Sequence, residues 1–141
     1  PKVNWRESIG SCDLAMLQAV ITHRYDVLAR YGRSLRTTYQ EEFGKLRDHG
    51  LSTSDRSVVD RLVIGDARIA DEDRARVESV LKHSKVLETI YAMRVELSQL
   101  WQRSTASKEQ LVRELDDWCH RAETSGIAAL GDFSRQLRRY A

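Results

Sequence analysis

His23, His49, His83 and His120 are the four imidazoles of this chain, and none has a second histidine three or four residues away. Helical metal centres hold their ligands on one face at that spacing, as in HExxH or the ExxH of di-iron bundles. Neither Glu96 nor Glu114 has a histidine three positions on, so no metal site, and no cofactor, is expected in this segment. Cys119 immediately precedes His120, but neighbours on a helix do not face each other. The pair therefore reads as a small buried thiol beside an exposed imidazole rather than a nucleophile and its base. The glycine patterns GxGxxG and GxxxxGK[ST], which cradle phosphates, do not occur. Glu109, Glu114, Asp116 and Asp117 share one predicted helix, where they read as solvated surface charge rather than an acid-base pair. On its residues alone, the segment is expected to be non-catalytic.

Arginine is the remaining chemistry. Arg24, Arg30, Arg33 and Arg36 fall on one predicted helix, where three- and four-residue steps align some of them into a basic stripe suited to phosphate or anionic lipid. Arg135, Arg138 and Arg139 place three guanidinium groups within two turns of the C-terminal helix. That second group suits an acidic partner, and it equally suits the helix dipole, which favours cations at a C-terminus by about 0.3–1 kcal/mol. With 23 basic and 21 acidic side chains the net charge is only +2, which permits a nucleic-acid partner without requiring one. Trp5, Trp101 and Trp118 have the chemistry of base-stacking platforms, but Trp101 and Trp118 fall on apolar stripes and read as core.

The elements that must position these groups are all helical. Leu14, Leu17, Ile21, Leu28, Tyr31, Leu35, Tyr39, Phe43 and Leu46 recur at helical steps after a cap at Asp13, predicting one long helix to about Arg47 with a weak point at Gly32. Gly50 ends it, and Leu51, Ser52, Thr53 and Ser54 form a loop before a short helix facing inward with Val58, Val59, Leu62 and Val63, closed by Gly65. Asp71 caps a third, which opens with Glu72 and Asp73 and carries Val77, Val80, Leu81, Ser84, Leu87, Tyr91, Arg94, Leu97 and Trp101 along one side. Ser104 and Thr105 interrupt it. Ser107 with Gln110 forms a capping box for a fourth helix that buries Leu111, Leu115, Trp118 and Ala122. Gly126 supplies a left-handed stop, and Ile127, Leu130, Phe133, Leu137 and Tyr140 define a fifth. No stretch alternates with period two, so the expected fold is an all-α bundle of about five helices in a single domain over residues 1–141.

The two cysteines, Cys12 and Cys119, lie in no CxxC or Cys-His spacing, so neither a disulfide framework nor a zinc site is expected. No run approaches the roughly 20 apolar residues of a spanning helix. Apolar side chains left over from the long first and third helices suit pairing into a homodimer.

From Leu87 onward, the marks ELSQLWQRSTAS, LDDWCHRAETSGI and DFSRQLRRY resemble the C-terminal extension of bacterial membrane-bound acyl-CoA delta-9 desaturases. The earlier stretch DLAMLQAVITHRYDVLARYGRSL, residues 13–35, resembles the start of the same extension. That resemblance implies a fragment of a longer membrane protein: a non-catalytic regulatory, oligomerisation or partner-binding domain on the cytoplasmic face of the bacterial inner membrane. Its partner would be the rest of the desaturase. The implied parent is an oxidoreductase of fatty acid biosynthesis whose iron is held by HxxxxH and HxxHH boxes, and no such box occurs here. The helix pair around Trp118, Ser125-Gly126-Ile127 and Phe133 is also similar to a segment of DDE-type insertion-sequence transposases. This alternative implies a transposase-derived nucleic-acid-binding module using Arg24, Arg30, Arg33, Arg135, Arg138 and Arg139. In that family the segment precedes the last catalytic glutamate, and the chain stops at Ala141 before one appears.

Overall fold

A computed structural model describes residues 12–46, 59–61, 74–75, 78–79, 81–102 and 106–140. Among them the chain is helical throughout, with α1 over Leu14–Thr22, α2 over Arg24–Gly44, α3 over Lys85–Gln99, α4 over Lys108–Glu123 and α5 over Ala128–Arg138. The expected all-α bundle is what forms, with no strand among the described residues. Trp5, His49, Gly50, the 51–54 loop, Val58, Leu62, Val63, Gly65, Asp71, Val77, Val80 and the 104–105 break lie outside them.

The long first helix is in fact two. Asp13 caps α1 as predicted, its carboxylate accepting from the Met16 amide at 2.8 Å. The break falls at His23, whose backbone leaves the helical region at φ −109° and ψ 44°, and not at Gly32, which is buried inside an unbroken α2. Two side chains account for the position. Thr22 Oγ1 donates back to the Gln18 carbonyl at 2.8 Å, a contact that bends helices. Trp101 Nε1 then reaches the Val20 and Ile21 carbonyls, each at 3.3 Å, supplying a donor to acceptors that a helix end otherwise leaves open.

Two polar members of the predicted third stripe have separate explanations. Ser84 is a cap, extended at φ −140° with its hydroxyl accepting from the Leu87 amide at 3.2 Å. Arg94 is truly buried on α3, and α3 passes into a 3-10 turn over Leu100–Gln102. Ser107 caps α4 through the Gln110 amide at 3.1 Å. Gly126 takes φ +81°, a conformation open to glycine without Cβ strain, and this lets α5 fold back on α4.

Four helices meet at three rings. Tyr31 on α2, Trp118 on α4 and Phe133 on α5 are all buried, with centroids 5.1 Å (Tyr31–Phe133), 5.8 Å (Trp118–Phe133) and 6.4 Å (Tyr31–Trp118) apart. Both contacts to Phe133 are edge-to-face, the arrangement ring quadrupoles favour by about 0.5–1.5 kcal/mol beyond area burial. The polar atoms of the cluster point at α3: Tyr31 Oη donates to the Ile90 carbonyl at 2.5 Å, and Trp118 Nε1 to the Met93 carbonyl at 2.8 Å. Burial pushes the Tyr31 phenol well above its ordinary range, so it stays a donor. Leu35, Leu87, Leu97, Leu115 and Leu130 belong to the same buried core as the rings.

Removing a ring and removing only a donor should separate in urea denaturation. Phe133→Ala is expected to cost about 3–5 kcal/mol. Trp118→Phe keeps most of the volume but strips the Met93 carbonyl of its donor, and should cost about 1–3 kcal/mol. Equal losses for the two variants would mean that the rings do not organise the core.

Candidate functional site

The six arginines singled out by sequence have three different fates. Arg138 turns inward, its side chain only 13% exposed. Its Nη1 donates to Asp116 Oδ1 at 2.8 Å, its Nε to Glu123 Oε2 at 2.7 Å and its Nη2 to Glu123 Oε1 at 3.2 Å. A guanidinium held by both oxygens of one carboxylate and by a second acid joins α5 to α4, and is a structural tie rather than a contact surface. Asp116, expected on the solvated face, is thus half-buried and engaged, whereas Asp117 is exposed and bonds Arg121.

Burial by itself would raise the Glu123 carboxyl. The hydrogen bonds from Arg138 and Ser134, with the Arg138 charge, outweigh it and hold Glu123 below its ordinary 4.5. Burial likewise works against the Arg138 charge, but its bonds to Glu123 and Asp116 win and raise it further.

Arg30 and Arg135 are exposed and sit in short-range pairs on their own helices, Arg30 with Asp26 at 2.8 Å and Arg135 with Asp132. Exposed pairs of this kind add little to stability and exchange readily with solvent or another anion. Arg30 also lies over the Tyr140 ring, 5.5 Å from its centroid, while Tyr140 Oη donates to Asp26 at 2.7 Å. Bonds from Tyr140 and then Arg30 hold the Asp26 carboxyl below its ordinary value. Because Tyr140 follows Arg139, this contact brings the end of α5 to the solvent face of α2.

Arg24, Arg33 and Arg139 are exposed, as is Arg36. Among the described residues none of these four forms an ion pair with a carboxylate. Arg24 lies 5.9 Å from the Tyr25 ring and 5.8 Å from Trp101, a cation-aromatic setting. Arg30, Arg33 and Arg36 recur every three residues, so they form a slanting ridge opposite the buried Val27, Tyr31 and Leu35. Among the described residues the large exposed apolar groups are Leu14, Ile21 and the 83% exposed Tyr25, which lie on α1 and the start of α2. On α3 and its 3-10 turn, Tyr91 and Trp101 are half-buried.

A cleft of about 430 Å³ opens between α3 and α4 over Leu97, Leu100, Leu115 and Trp118. Its lining carries three acids, Glu96, Glu114 and Asp117, against Arg113 and Arg121, and Arg121 bonds Glu96 at 2.5 Å and Asp117 at 2.9 Å. Such a lining offers no preference for an anion, in contrast to the ridge. Among the described residues no cluster of histidine, cysteine and acid side chains could hold a metal, and no helix is long and apolar enough to cross a membrane.

The family model described as Transposase, of the ISL3 type of DDE transposases, matches residues 15–141. The transposase for insertion sequence element IS1001 of Bordetella parapertussis is 34% identical over 71 residues, which are 49% of this chain and 16% of that protein. The chain therefore spans about 16% of the length of that relative. No solved structure matches. These findings correct the leading expectation. The likeness of residues 87–141 to a desaturase extension, and with it the fatty acid desaturase, lipid metabolism and oxidoreductase assignments, gives way to the transposase relationship. The physical reason is that the shared marks encode fold: Leu97 and Trp118 are core, Ser107 is a cap and Gly126 a left-handed turn. In this chain they serve packing, capping and the turn, and carry no chemistry specific to a desaturase.

The Arg138 tie should show in the pH dependence of stability. A carboxyl depressed in the fold stabilises it above its unfolded value and loses that contribution as pH falls through the folded one. Glu123→Gln is expected to cost about 1–3 kcal/mol at pH 7, with the gap to the unmodified chain closing below about pH 4.5. Urea midpoints collected from pH 7 to pH 3 measure it, and a gap that widens on acidification would contradict this assignment.

Proposed function

The chain belongs to the ISL3-type DDE transposase family, and from that premise we propose that it is a non-catalytic helical unit of an insertion-sequence transposase that grips the DNA backbone. The observation that carries the reading is the ridge of Arg30, Arg33 and Arg36 on the solvent face of α2, approached by the end of α5, where Tyr140 beside Arg139 contacts Asp26 and Arg30. Arg24 lies apart from it at the start of the helix, near Trp101. Phosphate contacts position a protein on a duplex and require cations that are exposed and loosely held. Arg33, Arg36, Arg24 and Arg139 meet that requirement directly. Arg30 and Arg135 meet it by giving up weak surface pairs. Arg138 does not take part, because leaving Asp116 and Glu123 would strip two half-buried carboxylates of their partner. The relative's printed role, transposition of an insertion sequence element, supports DNA as the nucleic acid. The mild net charge fits a contribution to binding rather than the whole of it.

Neutralising phosphates releases counterions, so log K should fall by about 0.9 per contact for each tenfold rise in salt on duplex DNA. Fluorescence anisotropy with a labelled duplex, titrated from 20 to 200 mM salt, should return a slope of about −3 to −5 on that basis. The double variant Arg33→Gln, Arg36→Gln should reduce the slope by about two contacts' worth and leave the helical circular dichroism intact. Absence of binding at micromolar protein in 20 mM salt would defeat the proposal. So would a double variant that binds with an unchanged slope.

A further inference from the structure

Two of the ridge arginines share a second row on α2, and that row leads to an exposed aromatic ring. Tyr25, Ala29, Arg33 and Arg36 follow one another at steps of four, four and three residues, which places them on one face of the helix. All four are exposed, Tyr25 to 83%. Only a small alanine separates the ring from the arginines. The ring is nevertheless held in place from one side. Arg24 carries its guanidinium 5.9 Å from the Tyr25 centroid and 5.8 Å from that of Trp101, within the range of cation-aromatic attraction. Trp101 is in turn anchored by its indole N–H to the Val20 and Ile21 carbonyls. Asp26, the acid of this first turn, is engaged by Arg30 and Tyr140. A flat ring open to solvent, with cations beside it and leading away from it, has the parts of a surface for single-stranded nucleic acid.

We infer that Tyr25, steadied by Arg24, is a stacking site for an unpaired DNA base, with Arg33 and Arg36 holding phosphates of the strand that carries it. This site rests on the reading of α2 as a DNA contact, and it names the form of DNA that α2 takes. Inside a duplex both faces of a base are covered by its stacked neighbours, so a protein ring finds an open π-face only where a base is unpaired. Every base has such a face, so the site is tolerant of sequence. From Tyr25 to Arg33 and Arg36 the helix advances about 12 to 16 Å at about 1.5 Å per residue. A stacked strand rising about 3.4 Å per nucleotide covers that distance in roughly four nucleotides. The stacked base therefore lies a few positions beyond the held phosphates. Charge favours a nucleic-acid strand over an apolar helix of a protein partner. An apolar partner would cover Arg33 and Arg36 without a counter-charge, whereas a strand brings its phosphates with it.

The test is fluorescence anisotropy of the 141-residue chain with labelled DNAs that share one duplex sequence. One is blunt, one carries an adenine overhang, and one carries an overhang of equal length made abasic, which keeps the phosphates and removes the rings. Each overhang is placed at the 5′ and at the 3′ end. In one polarity the adenine overhang should bind about tenfold tighter than the abasic one. That ratio should persist as salt rises, because stacking releases no counterions. Tyr25→Ala should abolish the difference and leave both the helical circular dichroism and the affinity for blunt duplex unchanged, since the side chain lies outside the core. Tyr25→Phe, which keeps the ring, should keep the difference. The double variant Arg33→Gln, Arg36→Gln should weaken all the DNAs alike. Equal binding of adenine and abasic overhangs, by a chain that still grips the blunt duplex, overturns the stacking site and leaves the ridge standing. No binding of any DNA defeats both. A Tyr25→Ala chain that keeps its adenine preference also overturns the site, and if that chain loses self-association in sedimentation the ring belongs to a protein contact instead.

Discussion

Tyr31 Oη and Trp118 Nε1 donate to two carbonyls of the same helix, Ile90 and Met93 on α3, and the packing of the other helices follows from that pair of bonds. A carbonyl inside an α-helix already accepts one bond along its own axis, so a second donor must approach from the side, through the face presented to the core. This fixes how α3 is rotated, and it fixes how deeply α2 and α4 sit against it. Once Tyr31 and Trp118 are so placed, the space between their rings is shaped for the edge of Phe133, which seats α5. The alternative to these bonds is a buried hydroxyl or indole N–H without a partner, each a loss of about 1–3 kcal/mol. The core therefore tolerates little rotation of its helices.

Charge is divided just as sharply. Arg138 is committed to Asp116 and Glu123 inside the joint of α4 and α5, where its guanidinium also lies 3.9 Å from Cys12 Sγ. The arginines of α2 stay in solvent, because the opposite side of that helix is filled by Val27, Tyr31, Leu35 and Tyr39. A residue type that reads alike along the sequence thus does two jobs. Where partners are half-buried, desolvation makes the ion pair stiff and its loss costly. In full exposure, water and salt screen it and leave the cation available. The Tyr140 contact to Asp26 and Arg30 joins the two regimes, since it pins the end of α5 against the exposed face of α2.

The marks that resemble a desaturase extension include positions that the fold itself constrains, whereas the transposase relationship extends over residues 15–141. Trp118, Gly126 and Phe133 are the positions at which an α-hairpin packed on a third helix has least freedom: a ring that must find a carbonyl, a turn that must enter positive φ, and a second ring that must fill the gap. They identify a packing solution, and only the wider match over residues 15–141 attaches it to a family.

Periodicity and capping chemistry are local, and the sequence by itself was enough to determine them. The all-α fold, the Asp13 and Ser107 caps, the Gly126 turn and the burial of Leu111, Leu115, Trp118 and Ala122 follow from interactions within about four residues. What only the tertiary structure decided depends on groups distant in sequence. The break at His23 is stabilised by Trp101, some 80 positions away. Ser84 and Arg94 looked like equal flaws in one stripe until the fold made the first a cap and buried the second. Arg138 was indistinguishable from Arg135 and Arg139 until α4 offered two carboxylates on the correct side. Helical pattern places a side chain on a face. Which group waits opposite that face is settled by the packing of whole helices, and hydrogen bonds, ion pairs and thiol contacts act over a few ångströms of space whatever the separation along the chain.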